Sequence, residues 1–384
     1  MSAGQAWKVP LSDLLIDDEL VAAAEAALRS GWWSSGPRVE ELEEAFATFL
    51  GAPHAVAVAN GTASLHLALL AAGCGPGDEV VLPSLNFVAA ASVCVRIGAT
   101  PVFCDIRGDG DLNLDVADVE AAMTPATKIV LVLHYAGFPA ETTKILDLAR
   151  SRGVAVIEDA AHAPGSVADD GGMCGTLGAA GCFSFFANKN IPVGEGGMIV
   201  TSDPELDARL RLLRSHGMTT LTWDRERGHA STYDVVLAGF NYRLDEVRAA
   251  IGLVQLARTR AENSTRAAIA QRYRDAFASV DGLMLAFEES VGDPRFAHHL
   301  AVVIADSAEE ARRLRSHLAE RRIQTSAHYP PIHRFSRYEE LGRRRKLLRT
   351  DDVADRLVTL PLYAHMTDDQ VNLVIDSVRS AYAP

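Results

Sequence analysis

The sequence is poor in the cation that does covalent amine chemistry. Of its 37 lysine and arginine residues only Lys8, Lys128, Lys144, Lys189 and Lys346 are lysine, so few side chains compete for the role of an amine nucleophile. Cysteine is scarce as well. Cys74, Cys94, Cys104, Cys174 and Cys182 are odd in number, show no C-x-x-C spacing and lie mostly among apolar neighbours, which excludes a disulfide-stapled scaffold and predicts buried free thiols. No uncharged run approaches the ~18 residues of a membrane span, and the opening MSAGQAWKVPLSDLL has no basic-then-apolar leader pattern. The expectation is a protein of the reducing cytoplasm with no membrane partner. Positive charge is in deficit, the formal net being −13; this argues against a nucleic-acid surface while leaving room for a local basic pocket. Internal repeats and low-complexity linkers are absent, no metal site is read, and no strand is followed by G-x-G-x-x-G, which disfavours a dinucleotide-dependent oxidoreductase.

What the chain does have is material for a large core. Over 384 residues, 48% are apolar and 23% charged, which excludes disorder and collagen-like repeats. The length favours one large domain with a smaller satellite, or two domains. Between residues 50 and 205 short apolar runs alternate with helical periods, the pattern of repeated βα units and a mainly parallel sheet. Strands are predicted at 54–59, 79–82, 101–104, 128–133, 154–157, 182–186 and 197–201, with helices at 63–72, 87–97, 115–122, 141–152 and 204–215. Residues 244–279 contain no proline and one glycine, Gly252, and read as a long, mostly helical stretch. It leads to a smaller α+β unit with a strand at 300–304 and helices at 308–321 and 368–381. The division expected is 1–255, including an N-terminal entry segment, and 256–384. Residues 217–235 read as a long polar loop.

In open α/β sheets, ligands collect beyond the carboxyl ends of the strands. Three turns there carry chemistry. Asn60-Gly61-Thr62-Ala63-Ser64 runs from a strand into an apolar helix, so glycine permits close backbone approach and two hydroxyls stand beside free N–H groups, as a phosphate needs. The same residues also make an ordinary βα turn capped by threonine. Glu158-Asp159-Ala160-Ala161-His162 sets two acids at the end of an apolar strand, as a functional carboxylate facing a cation or as a helix N-cap. Lys189 follows the aromatic run Phe183-Ser184-Phe185-Phe186, where desolvation lowers an amine's pKa; its other reading is a strand cap with its stem on Phe186. The remaining lysines fit less well, in a tail, at a strand start, in a polar helical turn and after three arginines. Together a phosphate cup, an acid ending a strand and a lysine 30 residues beyond it make the set that pyridoxal phosphate requires. The lysine holds the aldehyde as a Schiff base, the acid keeps the pyridine nitrogen protonated, and the cup takes the phosphate.

At these same residues, and at Gly194-Glu195-Gly196-Gly197, the sequence resembles the sugar aminotransferases of the DegT/DnrJ/EryC1/StrS family. The resemblance extends from Gly31-Trp32-Trp33-Ser34-Ser35-Gly36-Pro37 through Arg214-Ser215-His216-Gly217, Gly239-Phe240-Asn241-Tyr242-Arg243-Leu244 and His328-Tyr329-Pro330 to Leu360-Pro361-Leu362. It implies the type I pyridoxal phosphate fold of aspartate aminotransferase, an α/β architecture with a mainly parallel large domain and a smaller α+β C-terminal domain. It further implies that Lys189 binds the cofactor covalently, that Asp159 pairs with the pyridine nitrogen, that His162 contacts the ring oxygen or face, and that Phe87 stacks on the ring. Gly61, Thr62 and Ser184 would bind the phosphate, and Asn241 would reach it from the neighbouring subunit of an obligatory homodimer. Lysine rather than histidine at 189 argues against the related sugar 3-dehydratases.

Trp33, Arg243, His328 and Tyr329 are the candidates for substrate contacts, although the Trp32-Trp33 pair also reads as core or interface. The arginine-rich segments 312–322 and 343–349 read as solvated faces, with one arginine on a nucleotide diphosphate as the alternative. The activity expected is transamination of a nucleotide-linked keto-sugar with L-glutamate as donor, favouring dTDP-4-keto-6-deoxyhexose aminated at C4. The rivals are amination of a dTDP-3-keto-6-deoxyhexose at C3 and a catalytically silent sugar-nucleotide-binding relative, which the intact Lys189 and Asp159 disfavour.

Overall fold

A computed structural model describes residues 6–220 and 232–383 of the chain. In chain order its strands are β1 (His54–Val58), β2 (Glu79–Pro83), β3 (Thr100–Cys104), β4 (Ile106–Gly108), β5 (Asp111–Leu114), β6 (Thr127–Leu133), β7 (Ala155–Asp159), β8 (Ala180–Ser184), β9 (Gly197–Thr201), β10 (Leu283–Leu285), β11 (Ala301–Ala305) and β12 (Leu357–Leu360). Seven of them form one sheet in the order β1-β9-β8-β7-β6-β2-β3. The pairs from β8 to β3 are parallel, and β9 runs antiparallel to both neighbours. This is the mainly parallel α/β sheet of the type I fold. β10, β11 and β12 form a second, antiparallel sheet, and β4 with β5 a separate hairpin.

The pleat explains why the central strands read as continuous apolar runs. Val80 and Leu82 enter one core with Ile129 and Leu131, while Val81 enters another with Val130 and Val132. Both faces are therefore covered by helices, as parallel sheets require. The helix Gly61–Ala71 is apolar nearly all round and buried along most of its length against the sheet, with its N-terminus at the end of β1.

The long helix Glu246–Phe277 joins the two sheets. Its first half packs on the helices Asp18–Arg29 and Pro37–Leu50, and Ile269, Tyr273 and Phe277 enter the core beneath β10–β12. That core also takes Val9, whose backbone lies beside Ile323: Val9 N–H donates to the Arg322 carbonyl at 3.2 Å, and Gln324 N–H to the Val9 carbonyl at 2.9 Å.

The predicted strand ends shift by up to two residues. β7 continues to Asp159 because Asp159 pairs with Leu133 on one side and Cys182 on the other. In the 217–235 loop Met218 bridges to Val235, and Thr219 N–H donates to the Asp234 carbonyl at 3.0 Å; residues 221–231 lie outside the described residues. All five cysteines are buried free thiols. Among the described residues no helix is long and apolar enough to cross a membrane. Of the 343–349 arginines, Arg345 pairs with Asp118 at 2.7 Å, Arg349 with Asp115, and Arg343 with Glu339 at 2.6 Å.

Candidate active site

The strand pleat separates the two adjacent acids of β7, since successive residues point to opposite faces. Glu158 is fully buried and accepts the backbone N–H groups of Gly175 (2.8 Å), Leu177 (2.7 Å) and Gly178 (2.7 Å). It also accepts from His134 Nε2 at 2.9 Å, because His134 Nδ1 takes the Ala140 N–H at 3.2 Å and leaves the ring proton on Nε2. This carboxylate clamps a loop. Asp159 instead lines a cavity of about 450 Å³. Burial pushes its carboxyl up from the ordinary aspartate range, against the opposing effects of Lys189, the Ala161 N–H at 3.3 Å and the Asn86 amide. Asn86 Nδ2 lies near enough to act electrostatically but makes no aligned hydrogen bond.

Lys189 enters the same cavity from a loop closed at its neck. Phe186 bridges to Gly194, Phe185 N–H donates to the Gly196 carbonyl (2.8 Å), and Val193 N–H to the Phe185 carbonyl (2.9 Å). The next residue, Asn190, is buried and donates to Asn263 Oδ1 of the long helix (2.9 Å) and to the Ala297 carbonyl (2.8 Å). Burial pulls the Lys189 amine down to about 8, although Asp159 opposes this. A substantial neutral, nucleophilic fraction therefore exists at mildly alkaline pH.

The third wall is the start of the helix Gly61–Ala71. Asn60 caps it by accepting the Ala63 N–H at 2.8 Å, and the N–H groups of Gly61 and Thr62 have no partner within the helix. A Cβ at Gly61 would stand 2.7 Å from Ser184 Cβ, so glycine is what allows the helix end to approach Ser184. The Ser64 hydroxyl, one of the two expected in the cup, turns inward and donates to the Gly61 carbonyl at 2.6 Å. Phe87, 56% exposed, presents a flat apolar ring to the cavity, and the buried Asn188 Oδ1 at its edge has no hydrogen-bond partner. An anion cradle, a desolvated amine, a buried carboxylate and an aromatic face around one cavity fit pyridoxal phosphate.

His162 is held between Ala136 N–H, which donates to Nδ1 at 3.3 Å, and Tyr329 Oη, 2.9 Å from Nε2. Its ring lies 4.4 Å from that of His299. His299 was not among the expected site residues; its one sequence signal is the His298-His299 pair directly before an apolar strand. Burial and the nearby Lys189 hold His162 and His299 well below the usual histidine range and His328 down to about 4. Gly61, Thr62, Phe87, Asp159, His162, Ser184, Lys189, His328 and Tyr329 thus surround one cavity. Three expected residues stand apart from it. Trp33 is 61% exposed and donates from Nε1 to the Leu28 carbonyl at 3.0 Å; Asn241 is exposed, its backbone bridged to Ser215; and Arg243 has a buried Nη1 with no hydrogen-bond partner.

Known proteins share this architecture. The profile of the DegT/DnrJ/EryC1/StrS aminotransferase family matches residues 15–379. The spore coat polysaccharide biosynthesis protein SpsC of Bacillus subtilis (strain 168) is 40% identical over 379 residues, covering 97% of this chain and 96% of that protein. The aminotransferase TlmJ from Streptoalloteichus hindustanus superposes with a TM-score of 0.89 at 35% identity, over 97% of this chain and 98% of that one. Spr1654 from Streptococcus pneumoniae, solved in PLP and PMP forms, superposes with TM-scores of 0.88 and 0.87 at 26% identity, over 97% and 98% of this chain and 98% and 99% of those chains. The chain therefore belongs to the DegT/DnrJ/EryC1/StrS aminotransferase family and is a sugar aminotransferase that uses pyridoxal phosphate.

Proposed function

We propose that the amino acceptor is a nucleotide-linked keto-sugar, a dTDP-4-keto-6-deoxyhexose aminated at C4, and that L-glutamate is the donor. The observation that carries this reading is the convergence of Lys189, Asp159 and the Gly61–Ser184 cradle on one cavity whose walls include Phe87, Phe186, His328 and Tyr329. The C4 assignment rests on the likeness of segments 31–37, 214–218 and 328–330 to C4-type members.

Bound cofactor supplies an electron sink for negative charge at the carbon that loses its proton. Gly61, Thr62 and Ser184 take the phosphate, Phe87 covers one ring face, and Asp159 holds the proton of the ring nitrogen. The Lys189 amine takes the proton from Cα of glutamate and later returns one to the sugar carbon, so one base serves both halves. Asn241 of the partner subunit completes the phosphate contacts, and Arg243 and Trp33 reach substrate across the same homodimer interface in the cytoplasm. Exposed Tyr233, Val235 and Val236, close in sequence to Asn241, together with Ile16, Val21, Leu28 and Trp33, provide the apolar surface that such a dimer covers.

NMR of the product from dTDP-4-keto-6-deoxyglucose tests the substrate: nitrogen at C4 is expected. No product there, with turnover of the 3-keto isomer, would replace the reading by C3 amination, which needs only a flipped hexose ring in the same pocket.

A further inference from the structure

A second, smaller cavity shares Asn188 and Lys189 with the first. It holds about 20 Å³, room for about one ordered water. Four stretches of chain meet around it: residues 12–15, the 187–192 loop that carries Lys189, the long helix, and residues 362–365. Hydrogen bonds fasten these stretches together. Leu362 N–H donates to the Leu11 carbonyl at 3.4 Å, Tyr273 of the long helix donates its hydroxyl to the Pro361 carbonyl at 3.0 Å, and Asn190, next to Lys189, donates to Asn263 at 2.9 Å.

Three polar atoms of its wall are buried and have no hydrogen-bond partner among the described residues: Asn188 Oδ1, Tyr363 Oη and His365 Nε2. Orphaned polar atoms around one polar cavity mark a water position, because a buried group left unpaired is costly. Burial and the nearby Asp13 push the Tyr363 phenol up to about 12, so its hydroxyl stays a donor. Gln370 opposes this and makes no aligned hydrogen bond with it. Asn188 Oδ1 only accepts. His365 Nε2 stands 3.3 Å from Asp13 Oδ2 without the alignment of a hydrogen bond, so a proton arriving on that nitrogen completes an ion pair. We infer that the chamber is a proton port for Lys189, in which water held by Asn188 and Tyr363 passes protons between the lysine and the His365–Asp13 pair. The inference rests on the base role proposed above for Lys189.

In the outward direction an N–H bond of the charged Lys189 amine breaks and its proton joins the water, which gives one of its own to His365 Nε2. The amine is left neutral, and the imidazolium, stabilised by Asp13, releases its proton to solvent. The outer end is open, since the side chains of Asp13 and His365 are 53% and 29% exposed. Water suits the site better than an ion. Tyr363 and Lys189 supply donors, Asn188 and His365 acceptors, so the wall asks for a molecule that does both. Glu262 and Arg266, the other charged pair on the wall, lie 3.4 Å apart and offset each other, while burial and Lys189 keep His299 neutral. With the amine neutral, Asp13 leaves the wall net negative, which repels an anion.

Isotope washout tests the port. When Lys189 takes a deuteron from Cα of labelled glutamate, an open path to solvent exchanges it before the lysine returns it to carbon. Holoenzyme converted by Cα-deuterated glutamate in ordinary water should therefore release amine-form cofactor that carries little deuterium by mass spectrometry. His365→Ala should retain several-fold more label, and added imidazole should lower retention again, a rescue that a merely structural role does not give. Asp13→Asn, at an exposed side chain, should raise retention less, and it decides the matter if His365→Ala folds poorly. A high-resolution crystal structure should show water within hydrogen-bond distance of Asn188 Oδ1 and Tyr363 Oη. Wild-type retention of most of the label, variants that match wild type, a chamber without that water, or bromide bound there after a soak would overturn the inference. A Lys189→Ala protein that still removes the deuteron would instead fault the base role. Wild type that glutamate does not convert would fault the donor, and the crystal structure then decides the port.

Discussion

The burial that makes the Lys189 amine nucleophilic also makes it hard to charge. Only the neutral amine attacks an aldehyde, and its fraction rises with pH through the group's pKa. Reconstitution of the apoenzyme with pyridoxal phosphate should therefore accelerate up to about pH 8 and then level off, as stopped-flow absorbance would show. An ordinary lysine, with its pKa of ~10.4, would keep accelerating well beyond that. The neighbouring acids divide differently. Glu158→Ala leaves three backbone N–H groups and the His134 proton without their acceptor, so it should cost about 3 kcal/mol in denaturant unfolding. These two residues show where sequence reading stops. Asp159 and Glu158 sit side by side in one motif, and nothing in composition tells them apart; the pleat of β7 does, by turning one acid to the cavity and the other to a loop. Lys189 was legible because only four other lysines exist, each in a poorer setting. His299 was not, because a histidine before an apolar strand has no pattern of its own.

Among the elements, the junction of β8 with the helix Gly61–Ala71 is the tightest part of the cradle. A methyl at Gly61 meets Ser184 Cβ at 2.7 Å and the Ser184 backbone at 3.3 Å, so the helix end must back away. Gly61→Ala should weaken cofactor affinity by about tenfold or more, read by equilibrium dialysis, and cost roughly 1–3 kcal/mol of stability. Adding Ser184→Gly should recover stability, because the clashing carbon is gone, but not affinity, because the hydroxyl is gone too. The βα units around this junction were plain in the sequence: each apolar run and each helical period was long enough to show its own repeat. The hairpin of β4 and β5 and the short strands β10 and β12 were not, since three or four residues show no period. Their pairing comes from partners far along the chain.

For the molecule as a whole, the proposed sharing of each site between two subunits has an arithmetic consequence. Lys189→Ala and Asn241→Asp should each be inactive, yet mixing and reassociation should restore activity. A heterodimer holds one site with both lesions and one with neither, so an equal mixture should reach about a quarter of wild-type activity. Heterodimers that form without activity would show that Asn241 serves only its own chain.

The pairing of Val9 with Ile323 bears on how the chain is made. Leu11 N–H finds its acceptor, Gln324 Oε1, 313 residues later at 3.0 Å, so residues 8–11 are made long before the segment on which they dock. The seven-stranded sheet can close while residues 8–11 wait, for every strand in it precedes residue 202. The core beneath the second sheet is not filled by its own segment alone, because it also takes Val9, Leu85 and Ile106 from far earlier in the sequence. Translation thus deposits a latch long before its seat exists, and the small sheet matures only after Ile323 and β12 have been made.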